Sequence, residues 1–403
     1  MAQGDGLDQF TEVTTTSWLQ RLGRAVGGVL FGLVAIVVSV ILLFWNEGRA
    51  IHTTQGLAEG AGIVRSVSPT TVDASNNGRL VHVSGDLTVA GPVTDPDFGQ
   101  RATGVRLLRK VEMYQWKEET QTETRTRLGG AEDRTTTYRY ERGWSEKPID
   151  SNRFKEPRGH TNPLMPYQTR DTVAAGVRLG AFAVPEHLLH GFGTPRPLAA
   201  NDTQANALQI RVGKPVRLLD GVLYVGRDPQ QPGIGDMRVS FAEVPLQRAS
   251  VVAMQSGGGF APFRTKAGTQ VEMIAAGDIP AAAMFNEAEH ENTTFTWILR
   301  AAGGFIMLVG FGMILRPLGV AGDVIPLLGD ILRAGTGIVS LLCTVAIAPL
   351  VIAFAWLWYR PLVAIGVLVA GGVLTLGIAR LARGRANAQR PLTPPIRPPI
   401  SRS

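Results

Sequence analysis

Hydrophobic positions follow two regimes along this chain. Residues 25–45, AVGGVLFGLVAIVVSVILLFW, carry no charge, and about twenty such residues at ~1.5 Å rise cross a ~30 Å hydrocarbon core as one helix. Three more apolar runs lie toward the C-terminus, at 297–315, 335–358 and 362–379. Between residues 46 and 296 no run is long enough to span, and apolar residues alternate with polar ones instead. The first run is too long for the ~7–15-residue core of a secretory signal, and FWNEGRA after it offers no small-x-small cleavage site. The pattern predicts an α+β membrane protein with four transmembrane helices and a large β-rich domain inserted between helices 1 and 2.

The boundaries that follow are an N-terminal tail at 1–24, helix 1 at 25–45, the domain at 46–296 and helix 2 at 297–315. An amphipathic loop at 316–334 comes next, then helix 3 at 335–358, helix 4 at 362–379 and a basic, proline-rich tail at 380–403. Within the domain, residues 79–89, RLVHVSGDLTV, alternate as a half-buried strand. So do residues 105–116, VRLLRKVEMYQW, with Val111, Met113 and Gln115 on one face and Glu112, Tyr114 and Trp116 on the other. Segments 117–127 and 134–142, rich in Thr, Glu and Arg, flank Leu128-Gly129-Gly130-Ala131 and predict a charged hairpin exposed on both faces. Residues 51–63 predict a short helix leaving the membrane and residues 179–190 another helix. Further strands are predicted at 207–212, 221–225, 236–244, 249–255 and 267–275, before a polar helical lead at 277–294.

Charge adds orientation. The chain carries 40 Lys+Arg against 33 Asp+Glu, a formal net of +7, yet residues 46–296 hold 28 of each. The excess therefore sits beside the spans, and nucleic-acid binding loses its electrostatic warrant. Arg21 and Arg24 precede helix 1, Arg316 and Arg333 bracket the loop after helix 2, and six arginines follow helix 4. A four-span arrangement puts all three groups on one side, which the positive-inside rule makes cytoplasmic and which leaves the domain extracytoplasmic. The only cysteine, Cys343, lies inside helix 3, so the domain holds together by its core and not by disulfides.

Several segments, in order along the chain, resemble the transmembrane protein 43 (LUMA) family. They are Asn46-Glu47-Gly48-Arg49-Ala50, Gly78-Arg79-Leu80-Val81-His82, Val111-Glu112-Met113-Tyr114-Gln115-Trp116, Gly159-His160 with Asn162-Pro163, the stretch GDMRVSF at 235–241, PFRTKAG at 262–268, and Tyr359-Arg360-Pro361-Leu362. The resemblance implies four spans, a large domain between the first and second, cytosolic termini and no catalytic motif. Eukaryotic members of that family are associated with the endoplasmic reticulum and inner nuclear membrane, where they organise complexes with lamins and emerin. The Ala/Gly/Arg-heavy composition and proline-rich tail here look bacterial, so those partners do not carry over. The expected location is a bacterial inner membrane with the domain periplasmic, or the endoplasmic reticulum or inner nuclear membrane in a eukaryote.

Candidate chemistry collects at the outer helix ends. An arginine inside a span costs ~2.5–3.5 kcal/mol at the bilayer centre and less near an interface, so it normally has a partner. Arg300, one turn into helix 2, is expected to pair with Glu47, just past helix 1; the alternative is snorkelling to lipid phosphate. Arg49, Arg300 and the hairpin residue Arg360 are also candidates for an anionic headgroup. His187 and His190, with His290 or Glu287, lack any metal-ligand spacing and read as solvated side chains. Gly28 and Gly32 have dimerising spacing that a neighbouring helix of the same chain would use equally. No serine elbow, zinc helix or phosphate loop is present; Gly257-Gly258-Gly259 lacks a following Lys-Ser/Thr.

These readings predict no catalytic, metal or cofactor site and a non-enzymatic membrane scaffold that organises protein or lipid assemblies through its domain. Membrane lipids, other membrane or extracytoplasmic proteins and a second copy of the chain are the expected partners. The alternative is an extracytoplasmic ligand or envelope-stress sensor that couples the domain to the helices. A deep pocket lined by convergent polar groups would favour the sensor, and flat apolar patches the scaffold.

Overall fold

Ser17 starts the first helix by a capping box: its side chain accepts from the Gln20 amide while the Gln20 side chain accepts from the Ser17 amide. In the computed structural model, which describes residues 8–361, this helix α1 runs unbroken from Trp18 to Ile63. Its 46 residues extend about 69 Å, well beyond the apolar run. The short helix expected at 51–63 is therefore the end of α1 itself. Gly56 and Gly60, which look like helix breakers, are contact points: a Cβ at Gly56 would lie 2.5 Å from Thr269, and one at Gly60 2.9 Å from Phe285.

Nine strands build most of the domain: β1 Gln9–Thr16, β2 Leu80–Thr88, β3 Arg106–Thr126, β4 Glu132–Ser145, β5 Val216–Leu219, β6 Val222–Val225, β7 Met237–Val244, β8 Arg248–Ser256 and β9 Met273–Ala276. One sheet has the order β1-β4-β3-β7-β6-β5, with short strands Arg170–Val173 and Arg196–Leu198 added to β3 and β7. The other centres on the antiparallel pair β8 and β2, with β9 beyond β8. Val111, Val239 and Leu223 from the first sheet meet Val81, Val83 and Val251 from the second in one buried core. The alternation in β3 holds, with Val111, Met113 and Gln115 buried and their neighbours half-buried.

Two predicted elements change type. Residues 202–212 form helix α2 (Asp202–Val212), not a strand: Asn201 caps it with Gln204, Gly213 ends it at φ 64°, and Ala205 and Leu208 bury one face. The helix expected over 179–190 is a tight strand pair, Arg178–Leu179 with Phe182–Ala183, followed by a single turn Glu186–Leu189.

The far face of the second sheet carries a smaller apolar cluster, Leu57, Leu80, Val252, Val271, Met284 and Phe285. It seats the domain on α1 and on α3 (Ala281–Gly322). Helix α4 (Pro326–Tyr359) follows after only Asp323, Val324 and Ile325. The amphipathic loop expected at 316–334 is thus a tight turn between two long helices. Pro317 lies inside α3 only two turns from its end, and Asp323, fully buried, accepts bonds from Arg21 and Arg333 that fix the turn. Helices α1, α3 and α4 are each long and apolar enough to cross a membrane. The fourth span expected at 362–379, the tail at 380–403 and residues 1–7 lie outside the described residues.

The segment expected as an N-terminal tail contributes β1, which pairs residue by residue with β4, from Gln9 opposite Arg139 to Thr16 opposite Glu132, so the domain is not simply an insertion between the first two spans. The hairpin of β3 and β4 therefore does not stay at the domain end of α1. Its turn docks at the other end, where the Gly129 amide donates to Val324 O at 3.1 Å and Arg21 donates to Gly130 O at 2.6 Å. The 21 residues of β3 reach about 70 Å, the length of α1. This three-stranded ribbon links both ends of the bundle, and its charged and Thr-rich faces need water or protein against them, not acyl chains.

At the ribbon's base, Tyr140 is buried, donates to Glu118 at 2.9 Å and stacks on His160 at 3.9 Å. Burial, with the Glu118 carboxylate adding to it, pushes its phenol from 10.0 up to about 12. The folded state thus favours the neutral phenol; that stability is complete below pH 10 and is lost as pH rises toward 12. Denaturation midpoints measured from pH 9 to 12 should fall more steeply for the wild type than for Tyr140→Phe; parallel curves would contradict this.

Candidate functional site

Four consecutive residues after the first span, Asn46-Glu47-Gly48-Arg49, each make a different contact. All four stay in α1 because the helix continues through them, so successive side chains point about 100° apart and reach different neighbours. The Glu47 carboxylate, 1% exposed, accepts from Arg300 Nε and Nη2 at 2.7 Å each. Its Oε2 also accepts from Trp356 Nε1 at 2.8 Å. One carboxylate thereby ties α1 to α3 and α4. The bidentate geometry is the strong form of this pair, and the Trp297 ring beneath the Arg300 guanidinium, 4.7 Å away, adds a cation–π contact.

Arg49 points into the same seam. It donates to Asn292 Oδ1 and Thr296 Oγ1 at 2.8 Å and to Asn46 Oδ1 at 3.3 Å. Asn46 donates to Thr296 O at 3.1 Å, and Asn292 to Ala50 O at 3.1 Å. Gly48 lets the Tyr359 ring against the helix: a Cβ there would fall 2.5 Å from the ring. Tyr359 in turn packs on Phe44 at 5.4 Å and edge-on to His52 at 6.0 Å. Arg49 Nη1 and Nη2 and Arg300 Nε and Nη2 donate inside the protein, and Arg49 Nε is buried without a partner; Arg360 is exposed and lines a small cavity of about 140 Å³ with Glu47, Thr54 and Arg300.

The structure brings Glu47, Arg300 and Arg360 around one cavity and sets Arg49 two residues further along α1, against Asn292. Sequence reasoning missed Asn46, Asn292, Thr296 and Trp356. The signal was available for two of them: Asn292 and Thr296 precede Arg300 at i, i+4 and i+8, a polar stripe along one helix face that leads into the apolar run. His187 pairs with Glu272 at 2.8 Å and His190 with Glu186 at 3.9 Å. Among the described residues no group of three or more His, Cys, Asp or Glu is placed to hold a metal.

Below the joint, α1 and α3 pack along a seam of small residues. Ala25, Gly32, Ser39 and Asn46 bury every seventh position of α1, and Thr296, Gly303 and Gly310 do the same on α3. Ser39 donates to Gly303 O at 2.7 Å. Gly32 faces Gly310, where a Cβ would lie 2.7 Å from the carbonyl oxygen; Gly28 meets only Met313, at 3.9 Å.

A β-rich domain seated on long apolar helices, with a polar joint locking those helices together, defines a membrane-anchored protein whose recognisable site is structural. The family profile described as "Transmembrane protein 43" matches residues 113–361. Human "Transmembrane protein 43" is 32% identical over 95% of this chain and 96% of its own length. The Drosophila melanogaster "Transmembrane protein 43 homolog" is 30% identical over 85% and 91%. The chain belongs to the transmembrane protein 43 family and is a membrane protein. No solved structure matches it.

Proposed function

We propose that this protein is a non-enzymatic multi-pass scaffold. The core of its domain stands outside the cytoplasm and binds proteins or lipid, while the helices hold it at a fixed height and angle. The observation that carries the reading is the collar: Glu47 joined to both Arg300 and Trp356, flanked by Asn46, Gly48 and Arg49, each in its own contact. A joint in which one buried carboxylate ties three helices together suits a fixed platform better than a moving one, and this favours scaffold over sensor. The chemistry agrees, because a buried carboxylate with both oxygens occupied by donors is not free to act as acid, base or nucleophile. We place the chain across four spans, with residues 362–379 as the fourth, in a bacterial inner membrane with the domain core periplasmic. The excess of arginine at the opposite ends of the spans supports that orientation.

Isolated exposed apolar residues on the domain, Leu164 and Ile210 at 95% and 85% exposure, are suitable sites for a photo-crosslinking side chain. Crosslinking in the native membrane should give reproducible protein or lipid adducts from these positions. A domain that yields none, while binding a soluble small molecule, would overturn the scaffold reading.

A further inference from the structure

The end of the bundle away from the domain holds a concentration of positive charge that the structure does not neutralise. Arg24 immediately precedes the apolar run of α1, and Arg316 immediately follows that of α3. Because the two helices pack antiparallel, these residues meet at one depth. The ribbon brings Arg134 to the same place, together with the hydroxyls of Thr14 to Thr16 from β1. Two adjoining clefts result, of about 380 and 530 Å³, which share Arg21, Glu132, Arg316 and Val320.

The acidic groups nearby are already engaged. Glu132 is held by Arg21 at 3.1 Å. Asp323, with no exposed surface, is held by Arg21 at 2.6 Å and by Arg333, and Asp330 pairs with Arg333 as well. Arg24, Arg134 and Arg316 form no ion pair among the described residues, and all three are exposed. Three uncompensated guanidiniums converge on a cleft at the level where two spans end, beside Thr16; the hydroxyls of Thr14 and Thr15 already donate to Arg134 O and Asp133. Guanidinium forks are donors matched to the oxygens of a phosphate group.

We propose that this cleft binds the phosphate of an anionic glycerophospholipid headgroup. The depth selects a lipid over a soluble phosphate, since Arg24 and Arg316 mark the hydrocarbon boundary on their helices. The site lies at the opposite end of the bundle from Glu47, Arg49, Arg300 and Arg360 and is independent of the scaffold reading. It also gives the hairpin turn a role: the ribbon closes one wall of the cleft.

The test uses the full chain, delipidated in detergent and offered phosphatidylglycerol in phosphatidylcholine, with retained lipid counted by native mass spectrometry. The wild type should retain phosphatidylglycerol over phosphatidylcholine. The triple variant Arg24→Gln, Arg134→Gln, Arg316→Gln should lose at least about tenfold of that preference. A charge-matched control, Arg139→Gln, Arg217→Gln, Arg227→Gln, at exposed positions elsewhere in the domain, should keep it. Equal retention by the triple variant and the wild type would overturn the site. Displacement of the lipid by millimolar inorganic phosphate would overturn the lipid as its occupant.

Discussion

Replacing Glu47 by Ala should lower the stability of the detergent-solubilised protein by roughly 3–5 kcal/mol, the cost of leaving a buried charge without its partner. The carboxylate is 1% exposed and takes three donors, two from Arg300 and one from Trp356. Its removal strands a guanidinium whose side chain is only 17% exposed, in a seam that water reaches poorly. Glu47→Gln should cost less, because the amide oxygen still accepts from one donor, but its NH2 then faces another donor. Arg300→Ala should be similarly damaging, for the reciprocal reason. A chemical or thermal denaturation series on the three variants measures these differences, and a Glu47→Ala protein as stable as the wild type would contradict them.

The second large effect is expected at the helix crossing. A side chain at Gly310 would begin 2.8 Å from Ile36 and 2.9 Å from the carbonyl oxygen of Gly32, and one at Gly32 2.7 Å from the carbonyl oxygen of Gly310. Backbone oxygens of two helices cannot swing aside as the end of a flexible side chain can, so the whole helix pair must separate. Gly310→Val and Gly32→Val should therefore each destabilise by at least about 1–3 kcal/mol, the range for overpacking a tight contact, and weaken the bonds of Ser39 and Glu47 on the same seam. Gly28→Val provides the contrast, since its nearest neighbour is the mobile end of Met313 at 3.9 Å. It should change stability by no more than about 0.5 kcal/mol, as substitutions away from such contacts do. Equal effects at Gly28 and Gly310 would show that the seam is not the contact that holds α1.

Local pattern made the spans and several strands legible. Long apolar runs mark α1, α3 and α4, and the alternation from Val111 to Trp116 assigns the two faces of β3 correctly. The Gly129-Gly130 turn was readable because both residues take positive φ, at 89° and 80°, which a hairpin turn demands of glycine. The Glu47 and Arg300 pair could be anticipated from the cost of an arginine within a span.

What was not legible depends on contacts distant in sequence. Nothing in QFTEVTTT announces that it will form an edge strand on Glu132 to Arg139, more than a hundred residues away. The docking of the hairpin turn beside Val324 and Arg21 follows from that pairing, so it was hidden as well. Glycine and proline misled where tertiary packing overrode local preference: Gly56 and Gly60 sit inside α1 against Thr269 and Phe285, and Pro317 inside α3. The strand expected at 207–212 gives way to a helix that begins at Asp202; Asn201 with Gln204 at its start and Gly213 at its end were the stronger signals.

The account rests on Glu47 and Arg300 acting as one unit that fixes the first span to the second beneath the domain. A double-mutant cycle measures that unit directly, through the stabilities of the wild type, Glu47→Ala, Arg300→Ala and the double variant in the same detergent. The account predicts strong coupling, with the double variant no less stable than either single variant, so that the coupling energy is at least as large as the smaller single loss, roughly 3–5 kcal/mol. Additive losses, with the double variant worse by the sum of the two, would mean that the residues act separately and would contradict the joint.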